Sequence, residues 1–183
     1  VGDVEVFLGE PNDNMRESMR SLLRGAGFRR THAFSSLKAF VDGFEQASPD
    51  LVIADDDLGP GMFDVIRDIR HFKLGRNPFV LITLMVRGQD ERVVKSAMHA
   101  GADDIMIKPV APGKLLERSA YLTMNRSPFI VTGDYVGPER RQQTSRDGKI
   151  PQLRVINTLR DKVEGRHVSQ ADLGRAVEAC MAQ

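Results

Sequence analysis

The 183 residues carry 26 lysines and arginines against 25 aspartates and glutamates, a formal net charge of +1, with 41% hydrophobic and 28% charged residues, which is the balance of a soluble globular protein. No apolar run approaches the ~20 residues of a spanning helix, and no basic, apolar, small-residue leader opens the chain, so no membrane segment is expected. The lone Cys180 excludes an internal disulfide and points to a reducing, cytoplasmic setting.

Charge is spread unevenly. Residues 1–125 hold 16 basic against 18 acidic side chains, net −2, and residues 126–183 hold 10 against 7, net +3. That excess is too small for a sequence-independent phosphate footprint, so nucleic-acid binding is not expected from it.

Val4–Leu8 reads as a first strand ending at Gly9-Glu10-Pro11, and Asn12 or Asp13 caps a helix with Met15, Met19, Leu22 and Leu23 on one face. A short second strand is expected near Arg29 to Ala33, and Ser35 or Ser36 caps a helix through Leu37, Phe40, Val41 and Phe44. Leu51-Val52-Ile53-Ala54 then runs straight into Asp55-Asp56-Asp57 and a Gly/Pro turn, a buried strand that delivers three carboxylates to a surface crevice.

A helix over Met62 to Phe72 follows, then the apolar run Pro78 to Leu84 as a fourth strand. Continuous rather than alternating apolarity marks a strand covered on both faces. A helix with Val93, Val94, Ala97 and Met98, a fifth strand at Ile105-Met106-Ile107 and a helix from 112 to about 124 complete five strand–helix pairs in about 125 residues. That alternation predicts an α/β fold, a doubly wound five-stranded parallel sheet with helices on both faces.

Ligands of such sheets sit at the carboxyl ends of the strands. Those ends carry Glu10, Asp55 to Asp57, Thr83 and Lys108, which together suit phosphate and divalent-metal chemistry. The set Pro49-Asp50-Leu51-Val52-Ile53-Ala54-Asp55, Pro60-Gly61-Met62, Thr83, Ala100-Gly101-Ala102-Asp103-Asp104 and Lys108-Pro109 resembles, in order and spacing, the receiver domain of response regulators. The resemblance covers residues 4 to about 124. It implies the flavodoxin-like strand order 2-1-3-4-5, no enzymatic activity of its own, and a partner that donates phosphate, a histidine kinase or histidine phosphotransfer protein.

Carried over residue by residue, the resemblance makes Asp55 the phosphoacceptor, Lys108 its ammonium partner, Pro109 a cis-proline and Thr83 the switch hydroxyl. Glu10, Asp55 and the Asp57 carbonyl become the ligands of Mg²⁺. Four positions depart from the family. Pro11 stands where the second metal-binding acid belongs, and Gly59 lengthens the loop beside the acceptor. Leu84 replaces a small residue after the threonine, and Ile105 replaces the aromatic coupled to it. Asp56 remains an alternative acceptor, with the start of the strand at Pro49-Asp50 favouring Asp55.

These departures leave open a degenerate receiver that acts as an interaction module independent of phosphorylation. Asp103-Asp104 is expected to be a solvated turn, and no histidine among His32, His71, His99 and His167 has a ligand-spaced partner. Asp55-x-Asp57 is also similar to the motif of haloacid-dehalogenase phosphatases, which place it on their first strand and need a longer chain.

From residue 126 the pattern changes. Ser127 to Arg141 mixes Pro and Gly with Phe, Ile, Val and Tyr, so an extended arm that packs against something is expected, followed by a flexible, exposed stretch at 142–149. Arg140-Arg141 with Arg146 is similar to the arginine motif of cyclic-di-nucleotide-binding barrels, for which no room remains. Two short helices, Leu153 to Val163 and Ser169 to Met181, close the chain, the second begun by a near capping box at Ser169-x-x-Asp172. Few basic residues on the last helix argue against a DNA-binding pair. The division is therefore a receiver-like domain over 1–125 and, over 126–183, an extension that packs on it, dimerises or holds a partner.

Overall fold

The structure, a computed structural model, describes residues 2–88, 90–140 and 152–181. The segment 142–149, Arg141 and Arg146 lie outside the described residues.

Five parallel strands form the centre: β1 (Glu5–Gly9), β2 (Arg30–Phe34), β3 (Leu51–Asp55), β4 (Leu81–Arg87) and β5 (Asp104–Lys108), in the order β2-β1-β3-β4-β5. Five helices alternate with them: α1 (Asp13–Gly25), α2 (Leu37–Gln46), α3 (Met62–Arg70), α4 (Glu91–Ala100) and α5 (Pro112–Met124). Asn12 and Ser36 begin α1 and α2 as expected, each side chain accepting from the backbone amide three residues on.

The parity of the strands builds two cores. Val52, Ala54, Ile82, Leu84 and Val86 meet Phe40 and Phe44 of α2, Ile66 and Ile69 of α3 and Ala97 of α4. Leu51, Ile53, Leu81 and Met85 meet Met19 and Leu23 of α1 and Leu115 and Leu122 of α5 on the other face. Every residue of β3 is buried, as the unbroken apolar run requires.

β4 departs from expectation by three residues. The apolar run starts at Pro78, but the ladder starts at Leu81, because the carbonyls of Pro78 and Val80 accept from the Arg70 guanidinium and those of Phe79 and Val80 accept from Arg126. The Asn77 side chain takes the Phe79 amide. With those groups engaged, the strand runs on to Arg87, and Thr83 lies in its interior rather than at its end.

The extension is built into the receiver. β6 (Phe129–Val131), β7 (Val136–Pro138) and β8 (Gln152–Leu153) form a small antiparallel sheet in the order β7-β6-β8. Phe129 and Val136 of that sheet share a third core with Phe79, and Ala176, Val177 and Cys180 of α7 (Gln170–Met181) pack there too. Cys180 is buried, and burial pushes its thiol pKa up, in keeping with a packing residue. The capping box is present: Asp172 accepts from the Ser169 amide at 2.9 Å, and Ser169 Oγ accepts from the Asp172 amide at 3.1 Å.

α6 (Thr158–Val163) inserts Leu159 into the α1/α5 core, and its Lys162 reaches the buried Asp50 carboxylate at 2.7 Å. Both closing helices thus spend apolar faces on their own chain. No helix among the described residues is long and apolar enough to cross a membrane.

Asp103 corrects the expectation of a solvated turn. Its buried carboxylate accepts from Arg70 at 2.8 Å, from Arg126 at 2.7 and 3.0 Å and from the Ile82 amide at 2.8 Å. Both guanidiniums lie over the Phe129 ring, at 5.1 and 4.6 Å from its centroid. Asp104 is also buried and forms a two-point pair with Arg118.

β7 approaches the α4–β5 turn closely enough that a Cβ on Gly137 would stand 2.9 Å from Gly101 Cα and 2.7 Å from Tyr135 Oη. Backbone cannot step aside as a side-chain tip can. Gly137→Ala is therefore expected to destabilise by about 1–3 kcal/mol, measured as a lower denaturation midpoint, whereas Gly113→Ala in α5, which meets nothing within 4 Å, should not lower it.

Candidate functional site

The carboxyl ends of β1, β3, β4 and β5 bring together Glu10, Asp55, Asp56, Asp57, Arg87 and Lys108. Asp55 is the last residue of β3, and the chain turns at once into a single 3₁₀ turn, Asp56–Leu58, with Asp55 as its cap: one carboxylate oxygen accepts the Asp57 amide at 2.8 Å. Gly59 follows with its Cα against α2, where a Cβ would meet Leu37 Cβ at 2.8 Å.

Lys108 ends β5, and the Lys108–Pro109 peptide bond is cis. Its ammonium stands 2.6 Å from Asp55 Oδ1, 2.8 Å from Asp57 Oδ2 and 3.2 Å from Asp56 Oδ1. Arg87 ends β4 in register with Lys108, and its guanidinium reaches Asp57 Oδ2 at 2.6 Å while its amide donates to Asp56 Oδ2 at 3.3 Å. Asp56 Oδ1 is buried, and among the described residues its contact with the Lys108 ammonium is an ion pair without the alignment of a hydrogen bond.

Protonation follows from this layout. Burial pushes the Asp55 carboxyl above the ordinary carboxylate range, with Lys108 and the Asp57 amide pulling the other way. Burial also raises Glu10, and the neighbouring Asp55 adds to it against the Asn12 amide and Lys108. Asp57, nearer solvent, is held low by its hydrogen bond to Lys108. Burial disfavours the charge on Lys108, but Asp55 and Asp57 outweigh it and hold its pKa above the ordinary lysine value.

The donor set fits a divalent cation. Oxygens of Asp55, Asp56 and Asp57 lie within 4.8 Å of one another, and hard carboxylate oxygens are what Mg²⁺ takes. Four carboxylates facing two cations leave two negative charges, the complement of one such ion. Glu10 stands beside Asp55 but outside that triad, and its carboxylate also accepts the Asn12 amide at 2.8 Å. Pro11 offers only its carbonyl, which Arg16 takes at 3.3 Å.

Thr83 is not at this site. It pairs with Ile53 in β3 and Asp104 in β5, is fully buried on the α1/α5 side, and its hydroxyl has no hydrogen-bond partner among the described residues. The residue level with Asp55 is Met85, two positions or roughly 7 Å further along the strand. Leu84 and Ile105 pair with each other across β4 and β5 and belong to the opposite core, away from both Thr83 and Asp55. Arg87 went unnoticed in the sequence, because the three-residue shift of β4 decides which side chain emerges at its end.

The family model described as the response regulator receiver domain matches residues 6–120. Over 133 residues the chain is 33% identical to a cyclic di-GMP phosphodiesterase of Thermotoga maritima, with 72% of this chain and 34% of that protein covered. It is 30% identical over 114 residues to the KDP operon transcriptional regulatory protein KdpE of Escherichia coli, with 62% and 48% covered. The chain thus spans about a third and about half of these curated relatives. Among solved structures it resembles the response regulator DrrB of Thermotoga maritima, at TM-score 0.58 and 22% identity over 72% of this chain and 58% of that one. It also resembles an orphan response regulator of Helicobacter pylori, at TM-score 0.55 and 20% identity over 65% and 95%. At those identities the structural likeness concerns the fold.

Proposed function

Because the chain belongs to the response regulator receiver family, we propose that it serves two-component signalling as a receiver that takes a phosphoryl group on Asp55 and passes the signal on through protein–protein contacts. The observation that carries this reading is the Lys108 ammonium 2.6 Å from a buried Asp55 at the end of β3, amid a carboxylate cluster of metal-binding kind.

The donor is a phosphohistidine on a histidine kinase or histidine phosphotransfer protein. An Asp55 carboxylate oxygen forms the new P–O bond as the P–N bond breaks; its electron pair stays on the imidazole nitrogen, which takes a proton from solvent. Lys108 orients Asp55 beforehand and afterwards pairs with a phosphoryl oxygen. Asp55, Asp57 and Asp56, with Glu10 alongside, would hold Mg²⁺, which when bound offsets the negative charge on both partners of the transfer. We place this protein in the cytoplasm, where such donors present their phosphate.

A second reading, a module that binds its partner or a second copy of itself regardless of phosphorylation, is favoured by one observation: Met85, not a hydroxyl, is level with Asp55. Incubation with acetyl phosphate and Mg²⁺, read by intact mass, separates the two. The first expects an acid-stable, base-labile gain of one phosphoryl group that Asp55→Asn abolishes. No gain, together with an unchanged oligomeric state in Asp55→Asn by light scattering, gives the site to the second.

A further inference from the structure

We infer that Arg87 is the residue that grips the phosphoryl group on Asp55, in the place where the strand register leaves no hydroxyl; this rests on the reading of Asp55 as phosphoacceptor. β4 offers that corner of the pocket only three side chains. Met85, level with Asp55, is buried in the α1/α5 core and has no donor, and Val86 faces the opposite core. Arg87 is the next, and the first to leave the sheet.

Its position is set from both ends. The Arg87 amide donates to Asp56, and its register partner across the sheet is Lys108, so its backbone is held beside that of the residue whose ammonium contacts Asp55. The exposed side chain places one Nη 2.6 Å from Asp57 Oδ2, an oxygen that also lies 2.8 Å from Lys108. Arg87 and Lys108 therefore meet on one carboxylate oxygen in front of Asp55. A phosphoryl group attached to Asp55 would enter between those two cations.

Only one carboxylate holds the guanidinium in the described residues, and the side chain is 77% exposed. Turning from Asp57 to a phosphoryl oxygen costs it little burial, and its planar fork can hold two oxygens at once, which a threonine hydroxyl cannot. The same contact shields phosphorus. Loss of the phosphoryl group needs water to form a P–O bond as the bond to Asp55 breaks, with the electron pair returning to the carboxylate and phosphate leaving. A guanidinium across the outer oxygens obstructs that approach.

The test compares wild type with Arg87→Ala, Arg87→Lys and Arg87→Gln, using beryllofluoride with Mg²⁺ as the phosphoryl stand-in and ¹⁹F NMR or calorimetry as readout. Arg87 is exposed, so the variants should fold as wild type does. Beryllofluoride affinity is expected to fall tenfold or more in Arg87→Ala and Arg87→Gln and by less in Arg87→Lys, and the lifetime of the acetyl-phosphate-formed adduct should shorten several-fold. Mg²⁺ affinity without beryllofluoride should stay the same or rise, since a competing cation is gone; a role limited to steadying Asp57 would lower it instead and overturn the inference. Equal beryllofluoride affinity and adduct lifetime in wild type and Arg87→Ala also overturn it while Asp55 phosphorylation stands. If wild type forms no adduct at all, the acceptor reading fails and takes this inference with it.

Discussion

Asp103→Ala is expected to lower folding stability by about 3–5 kcal/mol, because it removes one member of a buried ionic network and leaves the others charged and uncompensated. Arg70 has no exposed surface, and burial pulls its pKa down to about 10, so it remains charged at neutral pH. Its remaining partners would be the carbonyls of Pro78, Val80 and Gly101, and Arg126 would lose its two bonds to the same carboxylate. Against a total stability of about 5–15 kcal/mol for a domain, a loss of that size leaves a substantial unfolded fraction. The measurement is the urea midpoint at constant m-value. A change below about 1 kcal/mol would show that the carbonyls alone suffice for both guanidiniums.

The same network sets an acid limit. Burial pushes the Asp103 carboxyl up, yet Arg126 and Arg70 outweigh it and hold its folded pKa below the ordinary value. A depressed folded pKa contributes stability that is present above the unfolded carboxylate pKa of about 3.9 and is lost as pH falls through the folded value. Wild type should lose stability steeply below about pH 4, and Asp103→Asn should lack that part of the slope.

That network also shows where sequence reading stops. The two periodicities placed all five strands and helices of the receiver, because a helix or strand writes its burial into a local pattern. Asp103 has no such pattern. Its partners are 33 and 23 residues away, on α3 and beyond α5, and only the folded sheet brings them to one carboxylate. The site divides along the same line. Asp55, Glu10 and Lys108 follow directly from where β3, β1 and β5 end, and those ends are punctuated by acid, proline or turn residues. The end of β4 is not. An apolar run from Pro78 to Val86 has no internal mark to say where pairing begins, and the guanidiniums that occupy its first carbonyls are distant in sequence. The strand therefore ends three residues later than expected, which leaves Met85 rather than Thr83 level with the acceptor and brings Arg87 to the pocket.

Lys108→Ala is expected to raise the affinity for Mg²⁺ about tenfold or more and, in the same protein, to abolish the phosphorylation response. The ammonium sits within 3.2 Å of all three carboxylates that a divalent ion would use. A divalent ion and an ammonium about 4 Å apart repel by about 2 kcal/mol even at the dielectric of bulk water, more than the 1.4 kcal/mol of a tenfold change. Without Lys108, four carboxylates face Arg87 alone, so the metal-free variant should be less stable than wild type, and millimolar Mg²⁺ should recover most of the difference. Calorimetric titration and thermal melts with and without Mg²⁺ measure both effects. The comparison also separates the two functional readings. If Lys108 waits for metal and phosphate, wild type must itself bind Mg²⁺ at millimolar concentrations, with the ammonium shifting rather than leaving. If Lys108 is the permanent counter-ion of a pocket that no longer accepts phosphate, wild type should show no Mg²⁺ stabilisation, and only the alanine variant should gain it. Equal Mg²⁺ affinity in wild type and Lys108→Ala would place the metal away from Asp55–Asp57 and remove the electrostatic basis for both.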